Sequence, residues 1–523
     1  MYLEKMLGKN SGVFITLINK ENYFVFQPML PEVISGSIQI QNIINPIRRL
    51  CPRVNLEVRE VESIDLERQV VTTSPGLRPV HNEVKYDHLV LGLGNVMNFS
   101  QLPGLHQHGF PFKNLGDALH LRNHVIHVLE EADMEKDAAF RKALLTFVVA
   151  GGGFSGVETA AELNDFVRAA SREYRNLNPG EVRVILLHMG DLILPELGPE
   201  LGGFADKLLR RRKVEIRYGT RLEGATAEAA LLPDDERIPT KTLIATVPSG
   251  PHPLCVDLPC KKERGRIVVN EYLEVPDFPG VWALGDCAWI PDLKTDGICP
   301  PTAQYAVREG KIVATNIIAA IQGGKKKQFE FTALGMAGAL GHHSAVAQLF
   351  GKINLSGILA WLFWRAIYWA KLPGLERKFR VGIDWFLDGI LPKDIVQIKT
   401  SRSHSISYER YGAGEVIFRQ GDVGDRVYSL VSGEVEVVEQ IDGTDKILAR
   451  LRPGEFFGEM ALINDEPRVA AVRAVTNVDV LIIYRQDFEA LLDHVPGMKQ
   501  IFDQVMEEHL SEAADSTLSK GDG

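Results

Sequence analysis

The chain has 523 residues, 45% of them hydrophobic and 24% charged, which is enough sequence for several domains of a globular protein. Its formal net charge of −10 argues against general nucleic-acid binding, because neutralising phosphate groups requires an excess of lysine and arginine. Its apolar runs are shorter than the roughly 18 residues of a membrane-spanning helix.

The first predicted strand, residues 13–18, is a short run of branched and aromatic side chains that is typical of a buried parallel strand. It ends at Asn19, as the second strand of a dinucleotide-binding βαβ unit ends at the residue that holds the ribose. Such a unit begins with a strand, a glycine-rich turn and a helix, and only "MYLEKMLGKN" precedes this strand. We interpret residues 2–10 as the tail of that helix and expect the turn to be encoded upstream of Met1.

A strand predicted at residues 147–150 runs directly into Gly151-Gly152-Gly153-Phe154-Ser155-Gly156, and a helical pattern follows. A G-x-G-x-x-G sequence between a strand and a helix is typical of a dinucleotide site rather than of a plain structural turn. The first glycine makes the tight turn, the second lets pyrophosphate approach the backbone, and the third lets the helix pack on the strand. We predict that it binds NADH through Gly151, Gly152, Gly153, Phe154, Gly156, Glu158 and His188.

The strand predicted at residues 182–188 ends in His188, where an acidic residue usually binds the adenosine ribose. A neutral imidazole can bond a ribose hydroxyl, whereas a protonated one tolerates a 2′-phosphate, so NADH is favoured and NADPH stays open. Glu158 lies in the first turn of the predicted helix, where it either faces the nicotinamide or only favours the helix dipole.

Further buried strands are predicted at residues 85–95, 241–247 and 280–288, with a polar helix at 117–141. Two nucleotide-domain patterns, with one segment returning to the first, predict an α/β fold. The five cysteines are odd in number and form no C-x-x-C pair, which favours a reducing compartment. Cys255 and Cys260 flank a loop far from any glycine turn, so we interpret them as structural; no metal site is predicted.

Residues 355–385 carry four of the six tryptophans and are interrupted by Arg365, Lys371 and the Pro373-Gly374 break. From Arg365 to Arg402 there are eight basic and four acidic residues. An aromatic, basic segment too interrupted to span a bilayer indicates binding at an anionic membrane surface. The alternative is a core helix with a solvated basic face.

From about residue 403 the pattern changes to short alternating strands separated by turns at Gly421, Gly433 and Gly454. This predicts a small all-β domain. A helical segment, residues 486–510, follows it.

The chain resembles the type II NADH:quinone oxidoreductases, a family of single-chain flavoproteins. Stretches in the family's order include "ITLINKENYFVFQPMLPEV", "VVAGGGFSGVETAAEL", "GVWALGDCA" and "AWLFWRAIYWAKLPGLERKFRVGIDWFLD". The resemblance implies tandem Rossmann-like FAD and NAD(P) domains of the glutathione-reductase type, and electron transfer from NADH to a membrane quinone. It also implies peripheral binding at the cytoplasmic face of a bacterial inner membrane, and a homodimer is compatible with it.

The resemblance carries over to individual residues. Gln304 matches a glutamine at the quinone pocket, and Arg308 stands where many members have a second glutamine. Glu158 matches a glutamate associated with NADH binding and hydride transfer, so the implied catalytic residues are Glu158 and Gln304. Asp286 matches the carboxylate that binds FAD, although it could simply cap the next turn. The implied FAD contacts are Asn19, Gln27, Pro28, Gly94, Gly285, Asp286, Ala303 and Gln304.

Residues 457–474, "FGEMALINDEPRVAAVRA", resemble the phosphate-binding cassette of cyclic-nucleotide-binding domains, which are eight-stranded jelly rolls. The resemblance implies that Glu459 accepts the ribose 2′-hydroxyl and that Arg468 pairs with the cyclic phosphate. Val469 lacks the hydroxyl that often favours guanine, so cAMP is favoured over cGMP; the alternative is a jelly roll that has lost its ligand. The implied contacts are Phe457, Gly458, Glu459, Met460, Ala461, Arg468, Val469 and Ala470.

Because no glycine turn precedes Asn19, we expect this chain to hold FAD weakly or not at all. That leaves open a flavin-less remnant acting as a cyclic-nucleotide-binding regulator or scaffold, and a sulfide:quinone-type flavoprotein, which the cysteines disfavour. The predicted domains are the first part of the FAD domain (1–105), the NAD(P)H domain (106–264), the returning FAD segment (265–330), the membrane-associating segment (331–400) and the cyclic-nucleotide-binding domain (401–523). We expect the last to regulate the oxidoreductase.

Overall fold

Two units make up the chain in the computed structural model, Met1–Val71 with Lys85–Ile398, and Thr72–Val84 with Lys399–Gly523. The structure describes residues 1–8, 12–76, 78, 80–99, 102–247, 249–295, 297–398, 406–441, 444–463, 466–485 and 487–488. Apart from residues 487 and 488, the helical segment predicted at 486–510 lies outside the described residues.

Short strands and helices form the first hundred residues. Their bounds are α1 (Tyr2–Met6), β1 (Thr16–Asn19), β2 (Tyr23–Val25), α2 (Leu30–Ile34), β3 (Ile44–Pro46), α3 (Ile47–Leu50), β4 (Asn55–Val58), β5 (Val61–Asp65), β6 (Val70–Thr73), β7 (Asn82–Lys85), β8 (Leu89–Leu91), β9 (Asn95–Met97) and α4 (Leu105–His108). Strand β1 pairs in parallel with β4, as predicted, but it covers Thr16–Asn19 instead of residues 13–18. None of its residues is buried, so the prediction of a buried strand is wrong. Phe14, before it, is 97% exposed.

The central part of the first unit is a five-stranded parallel sheet. The elements of this part of the chain are β10 (Gly109–Pro111), α5 (Leu115–Met134), α6 (Ala138–Leu144), β11 (Thr146–Ala150), α7 (Phe154–Ala170), β12 (Arg183–Leu187), α8 (Gly198–Arg211), β13 (Val214–Arg217), β14 (Gly224–Ala225), β15 (Ala229–Leu231), β16 (Arg237–Pro239), β17 (Thr242–Ala245), β18 (Ser249–Pro251) and α9 (Pro253–Asp257). Strands β14, β15 and β16 form a separate antiparallel sheet, and β18 pairs with β9. The order β10-β17-β11-β12-β13 places β11 at the centre, with every residue buried, as in a sheet covered by helices on both faces. The carboxyl end of β11 therefore opens onto the glycine turn.

The chain then returns to β8. The returning elements are β19 (Lys262–Glu263), β20 (Arg266–Val268), β21 (Val281–Ala283), β22 (Ala288–Trp289), β23 (Pro291–Asp292), β24 (Gly297–Ile298) and α10 (Ala303–Gln322). Strand β21 pairs in parallel with β8, with Ala283 opposite Leu91. This pairing agrees with a segment that returns to the first domain pattern, and the bounds given for that segment stay a prediction.

A three-stranded antiparallel sheet and two helices complete the unit. They are β25 (Gly335–Ala339), β26 (Ala345–Leu349), β27 (Ile353–Ser356), α11 (Gly357–Lys371) and α12 (Leu375–Asp388). The two helices break where predicted, at Pro373-Gly374, and Gly374 has a φ of +83°, which suits glycine. Within the described ranges, no helix combines the length and apolarity needed to cross a bilayer.

The second unit contains two four-stranded antiparallel sheets, β28-β35-β30-β33 and β29-β34-β31-β32, which confirm the predicted jelly roll. Its elements are β28 (Ile406–Tyr411), β29 (Val416–Phe418), β30 (Arg426–Ser432), β31 (Val435–Ile441), β32 (Thr444–Leu451), β33 (Phe456–Phe457), α13 (Met460–Ile463), β34 (Ala471–Ala474) and β35 (Val478–Tyr484). Its core is apolar, and the rings of Phe418, Tyr428 and Phe457 contact one another within it.

Candidate functional site

The glycine turn has the geometry that its sequence predicts. Gly151 has a φ of +125°, and a Cβ on Gly156 would lie 1.8 Å from the Gly151 carbonyl oxygen, so α7 can approach β11 this closely only with glycine there. A Cβ on Gly153, in contrast, would meet no atom within 4 Å. Gly153 is the N-cap of α7 and no side chain caps the helix, so the first-turn N–H groups are available to an anion.

His188 follows β12 and packs its ring against the glycine turn. A Cβ on Gly152 would lie 2.4 Å from His188 Cγ, and His188 Nε2 lies 2.9 Å from the Leu192 carbonyl oxygen. The imidazole ring thus lies against Gly152, and one of its nitrogens bonds to the Leu192 carbonyl oxygen. Its role towards a ribose stays a prediction.

Glu158 is the fifth residue of α7 and therefore lies beyond the first turn in which the sequence analysis placed it. Its side chain contacts β25. Its Oε1 accepts a hydrogen bond of 2.8 Å from the Ala339 N–H. Burial raises the pKa of Glu158 to about 8, against the lowering effect of the Ala339 bond, and the charge of Glu162 raises it further. The carboxyl group is therefore protonated at neutral pH, which suits a proton donor.

Gln304 contacts the opposite end of the same strand. Its Nε2 donates to the Gly335 carbonyl oxygen at 3.0 Å, and its Oε1 accepts from the Leu334 N–H at 3.2 Å. Because β25 rises about 3.3 Å per residue, the contacts of Gln304 and Glu158 are about 13 Å apart along it. A single strand thus fixes both residues that the sequence predicts to be catalytic.

Arg308 lies one turn after Gln304 on α10. Its Nη1 donates to the Gln304 carbonyl oxygen at 2.7 Å, and its guanidinium stacks on the Phe331 ring at 4.0 Å. Burial lowers the pKa of Lys371, and the nearby charge of Arg308 lowers it further. Arg308 therefore belongs to the Gln304 end of the site.

The predicted FAD contacts gather at the carboxyl ends of β8 and β21. Gly94 and Gly285 have φ values of +69° and +70°, and a Cβ on Gly94 would meet no atom within 4 Å. Burial raises the pKa of Asp286, and the charge of Lys113 opposes this effect. Glu309 accepts from the Gly285 N–H at 2.8 Å, and burial raises its pKa to about 7.

Three more predicted contacts surround this group. Ala303 begins α10, whose N-cap residue, Thr302, leaves its hydroxyl buried without a partner among the described residues. Gln27 and Pro28 form a 3-10 turn with Met29, and Gln27 Nε2 lies 3.4 Å from the Lys113 carbonyl oxygen. Asn19 belongs to the separate β1–β4 pair and donates to the Glu21 carbonyl oxygen within its own turn at 2.6 Å.

These residues fit FAD where they gather. The open space at Gly94, the unpartnered Thr302 hydroxyl and the uncapped start of α10 suit polar groups of a bound cofactor. The structure does not bring Asn19 into this group. The weak retention of FAD expected from the sequence stays a prediction.

One premise of the sequence analysis is wrong, whereas the interpretation of Cys255 and Cys260 as structural stays a prediction. Cys255 is not far from every glycine turn, because its thiol donates a hydrogen bond to Cys287, which directly follows Gly285-Asp286 and faces the backbone of Gly94. Residues 32 positions apart in the chain meet here through the pairing of the returning segment, which spacing alone does not reveal.

The second unit places Arg468 and Glu459 together, with exposed fractions of 3% and 2%. Arg468 Nη2 donates to the Arg426 carbonyl oxygen at 2.7 Å and Nη1 donates to the Gly458 carbonyl oxygen, while the guanidinium covers the Phe418 ring at 4.2 Å. Its Nε is buried without a hydrogen-bond partner among the described residues. A buried cationic donor held by carbonyls suits an anionic ligand.

The other predicted contacts line the same loop. Phe457 stacks on Tyr428 with ring centroids 5.0 Å apart, Gly458 has a φ of +85°, and Val469 is 48% exposed. Met460 begins α13, and Ala461 and Ala470 are buried.

A set of buried polar residues escaped the sequence analysis: Glu32, Glu162 and Arg365. Arg365 Nη2 lies 3.5 Å from Glu32 Oε1, and Glu32 Oε2 accepts from the Trp385 indole at 3.0 Å. The sequence does carry a signal, because Glu158, Glu162 and Asp165 recur at helical spacing on α7.

Family models match three parts of the chain. Residues 2–310 match the model of the pyridine nucleotide-disulphide oxidoreductases, residues 335–394 that of the NDH2 C-terminal domain, and residues 408–495 that of the cyclic nucleotide-binding domain. A probable NADH dehydrogenase of Dictyostelium discoideum is 30% identical over 392 residues, 73% of this chain and 85% of that protein.

Two further matches bear on fold and family. The type II NADH:quinone oxidoreductase NdhA of Mycobacterium tuberculosis is 30% identical over 396 residues, covering 72% of this chain and 82% of that protein. The structure of NDH2 from Plasmodium falciparum in complex with NADH superposes with a TM-score of 0.70 at 18% identity, over 76% of this chain and 97% of that chain. The chain therefore belongs to the type II NADH:quinone oxidoreductases, a family of the pyridine nucleotide-disulphide oxidoreductase fold, and carries a cyclic nucleotide-binding domain in addition.

Proposed function

We propose that this chain takes electrons from NADH bound at Gly151–Gly156, passes them to a membrane quinone beside Gln304 and Arg308, and is regulated by a cyclic nucleotide. The observation that carries the proposal is the attachment of Glu158 and Gln304 to the two ends of β25. The proposal includes the domain boundaries near residues 105, 264, 330 and 400.

The proposed FAD contacts are the residues at the ends of β8 and β21 together with the start of α10. Bound FAD would supply the chemistry of accepting a hydride and releasing electrons. The chain's own residues position the partners, with Asp286 towards a cofactor hydroxyl, Gln304 towards the quinone and Glu158 holding a proton beside β25. NADH oxidation with a soluble quinone, together with the visible absorption of the purified protein, tests this assignment.

One observation favours a second candidate, a flavin-free scaffold that binds cyclic nucleotide. Among the described residues, β1–β4 and β8–β21 form separate two-stranded sheets, so Asn19 and Asp286 are not held by one sheet. Oxidised-flavin absorption with NADH:quinone activity supports the enzyme. If both signals are absent while the protein still binds cyclic nucleotide, the result supports the scaffold.

The glycine turn gives a first prediction. Replacing Gly153 with valine places a side chain where the pyrophosphate is proposed to lie and should raise the KM for NADH about 10- to 100-fold, the value of a charge-assisted hydrogen bond. The fold should survive, because the new Cβ meets no atom within 4 Å. Gly203→Val is a matched control, since its Cβ also meets open space, on α8. Equal KM values for both variants would contradict the assignment.

We further propose that α11 and α12 bind the surface of a membrane. Trp364 and Val381 are buried, yet nine large apolar side chains on the two helices are at least 41% exposed: Ile358, Leu359, Leu362, Trp369, Leu375, Phe379, Ile383, Phe386 and Leu387. Apolar exposure of this extent is unusual for a surface facing water. It argues against a core helix with a solvated basic face, since here the apolar side chains are the exposed ones.

Replacing Leu362, Leu375 and Phe379 with serine should weaken binding to vesicles of anionic phospholipid about 100-fold or more, because each large apolar side chain contributes about 1.5–3 kcal/mol when buried. NADH oxidation with ferricyanide should not change, since that acceptor is soluble. The matched control replaces three exposed apolar residues elsewhere, Met134, Phe140 and Val256. Unchanged cosedimentation of the first variant with vesicles would exclude this surface.

A further inference from the structure

A cavity of about 400 Å³ lies at the edge of the five-stranded sheet opposite the glycine turn. Its wall includes Gly109, the first residue of β10, and Lys241, which directly precedes β17, so it faces the amino ends of these parallel strands. The glycine turn follows the carboxyl end of β11, which pairs in parallel with β17. Sites for small molecules usually have volumes of about 300–1,000 Å³. The cavity is thus a candidate ligand site separate from the proposed NADH site.

Histidines form much of the cavity wall. His106 and His108 belong to α4, and His120 and His124 belong to α5, where they are one helical turn apart. His106, His108 and His120 are exposed, so the cavity is open to solvent. None of these side chains has a part in the proposed electron transfer.

His124 is held in one orientation and one protonation state. Its Nε2 lies 2.9 Å from the Lys241 carbonyl oxygen, and a carbonyl can only accept, so Nε2 carries the hydrogen. Burial lowers the pKa of His124 to about 4, against the raising effect of this bond, and the charges of His120 and His127 lower it further. The imidazole is therefore neutral at pH 7. It contributes a fixed aromatic ring to the wall and no charge.

Phe110 joins two of the imidazoles into an aromatic wall. Its ring centroid lies 4.2 Å from that of His124, with the planes at 34°, and 5.3 Å from that of His120, edge-on at 67°. Aromatic side chains bind planar ligands by stacking and by edge-to-face contact. The wall therefore favours a ligand that contains a planar ring.

The charges around the cavity favour an anion. Among the described residues that line it, none is aspartate or glutamate, although the whole chain has a net charge of −10. Lys241 contributes little to this preference, because its Nζ pairs with Glu228. The exposed imidazoles contribute more, since an imidazole donates a hydrogen bond to an anion and a nearby anion favours its doubly donating, protonated form.

The placement of the histidines suits a ligand larger than a metal ion. Imidazole is a common metal ligand. Within the described part of the chain, however, no three histidine, cysteine or acidic side chains are placed to hold one ion together. Imidazoles spread around a space of this size can instead bond to separate atoms of an organic ligand.

We propose that this cavity binds a small planar organic anion, the chemistry of a nucleoside monophosphate. The planar ring lies against Phe110 and His120, and the anionic group bonds to the imidazoles of His106 and His108. The site is distinct from the proposed NADH and cyclic-nucleotide sites, and binding is measured without turnover, so the proposal does not rest on the proposed function.

Equilibrium dialysis of the full-length protein against uridine 5′-monophosphate tests the proposal. Uridine, which lacks the anion, and ribose 5-phosphate, which lacks the planar ring, should each bind at least about 10-fold more weakly than the nucleotide. His106→Ala and His120→Ala should each weaken nucleotide binding about 10-fold or more, the value of one hydrogen bond to a charged group or of one stacked ring. His127→Ala is the matched control, because His127 is exposed on the same helix as His120 but does not line the cavity.

The fold should survive both changes, since His106 and His120 are exposed, and the melting temperature checks this. If one variant melts at a lower temperature, the other decides, because the two residues lie on different helices. Nucleotide binding that is absent, or that is unchanged in both variants, would overturn the proposal. Equal affinity for the nucleotide and for ribose 5-phosphate or uridine would also overturn it, since the site would then not require both the ring and the anion.

Discussion

Replacing Glu158 with glutamine is expected to lower the turnover of NADH with quinone about 100-fold, the usual contribution of a positioned general acid. Glutamine keeps the oxygen that accepts the Ala339 N–H and nearly the same shape, so β25 should stay in place. What it loses is the proton that the carboxyl group carries at neutral pH.

The pH dependence of kcat in the unmodified protein should show the ionisation of Glu158. The pKa of Glu158 is raised to about 8, so the carboxyl group is protonated below that pH and ionised above it. A proton donor is active in its protonated form, so kcat with quinone should fall as the pH rises through about 8. In Glu158→Gln this fall in kcat above pH 8 should be absent, and the low rate should not change with pH.

The free energy of unfolding should also fall as the pH rises, in the same direction as kcat. The pKa of a glutamate carboxyl group is about 4.3 in the unfolded chain, and the pKa of Glu158 in the folded protein is higher. Such a group contributes its full stabilisation below about pH 4.3 and loses it as the pH rises from there through about 8. The unfolding temperature of the unmodified protein should therefore fall more steeply than that of Glu158→Gln between about pH 5 and 8, with no further difference in slope above that range.

Steady-state rates with quinone and with ferricyanide, measured for both proteins, decide what Glu158 does. A fall confined to quinone identifies it as the donor of the proton. An equal fall with both acceptors would contradict that role and assign Glu158 to the nicotinamide, the role implied by the family resemblance.

Replacing Arg468 with alanine is expected to weaken cAMP binding about 100-fold or more, because removing one partner of a buried, charge-assisted pair costs about 2–5 kcal/mol. Arg468 is 3% exposed and has one donor, Nε, without a partner among the described residues. Burial lowers the pKa of its guanidinium, against the effect of Tyr428, so an anion that compensates its charge should bind strongly. Titration calorimetry with cAMP measures the change.

Arg473→Ala is the matched control, because Arg473 donates to Glu436 through Nε at 2.8 Å in the same domain. It should leave cAMP affinity unchanged. No heat of binding in the unmodified protein would instead identify a jelly roll that has lost its ligand.

Regulation requires that the ligand favour one of two states of the enzyme. NADH oxidation and vesicle binding, each measured with and without cAMP, test for it. A response in the unmodified protein that disappears in Arg468→Ala would assign the effect to this site, whereas no response in either would leave a domain that binds without regulating.

The local features were predictable and the distant contacts were not. The glycine turn is specified within six residues, because its glycines are required by close contacts with atoms near them in the chain. At Gly156, for example, any side chain would collide with the Gly151 carbonyl oxygen. The break at Pro373-Gly374 and the glycine turns of the jelly roll follow from the same kind of local chemistry.

The grouping of Glu32 with Glu162 and Arg365 depends on three segments separated by more than a hundred residues. Nothing near Glu32 in the chain indicates that a guanidinium will face it, since this follows from how α2, α7 and α11 pack together. Cys255 was misjudged for the same reason, because its neighbour in space, Cys287, arrives with β21. The one available signal for this group was the helical spacing of the carboxylates on α7. It is found only by looking for a repeat of carboxylates and not of apolar residues.

Strand β25 has a consequence for how this family can change over time. Gln304 and Glu158 both contact its main chain, at the Gly335 carbonyl and the Ala339 N–H, so neither contact depends on the identity of a β25 side chain. Apart from Gly335, Gly338 and the buried Ala339, substitutions in "GMAGA" should leave both contacts in place, whereas a single inserted residue would move one catalytic group relative to the other. A position-by-position comparison of homologues would therefore find little sequence conservation in β25, although this strand sets the distance between the two ends of the active site.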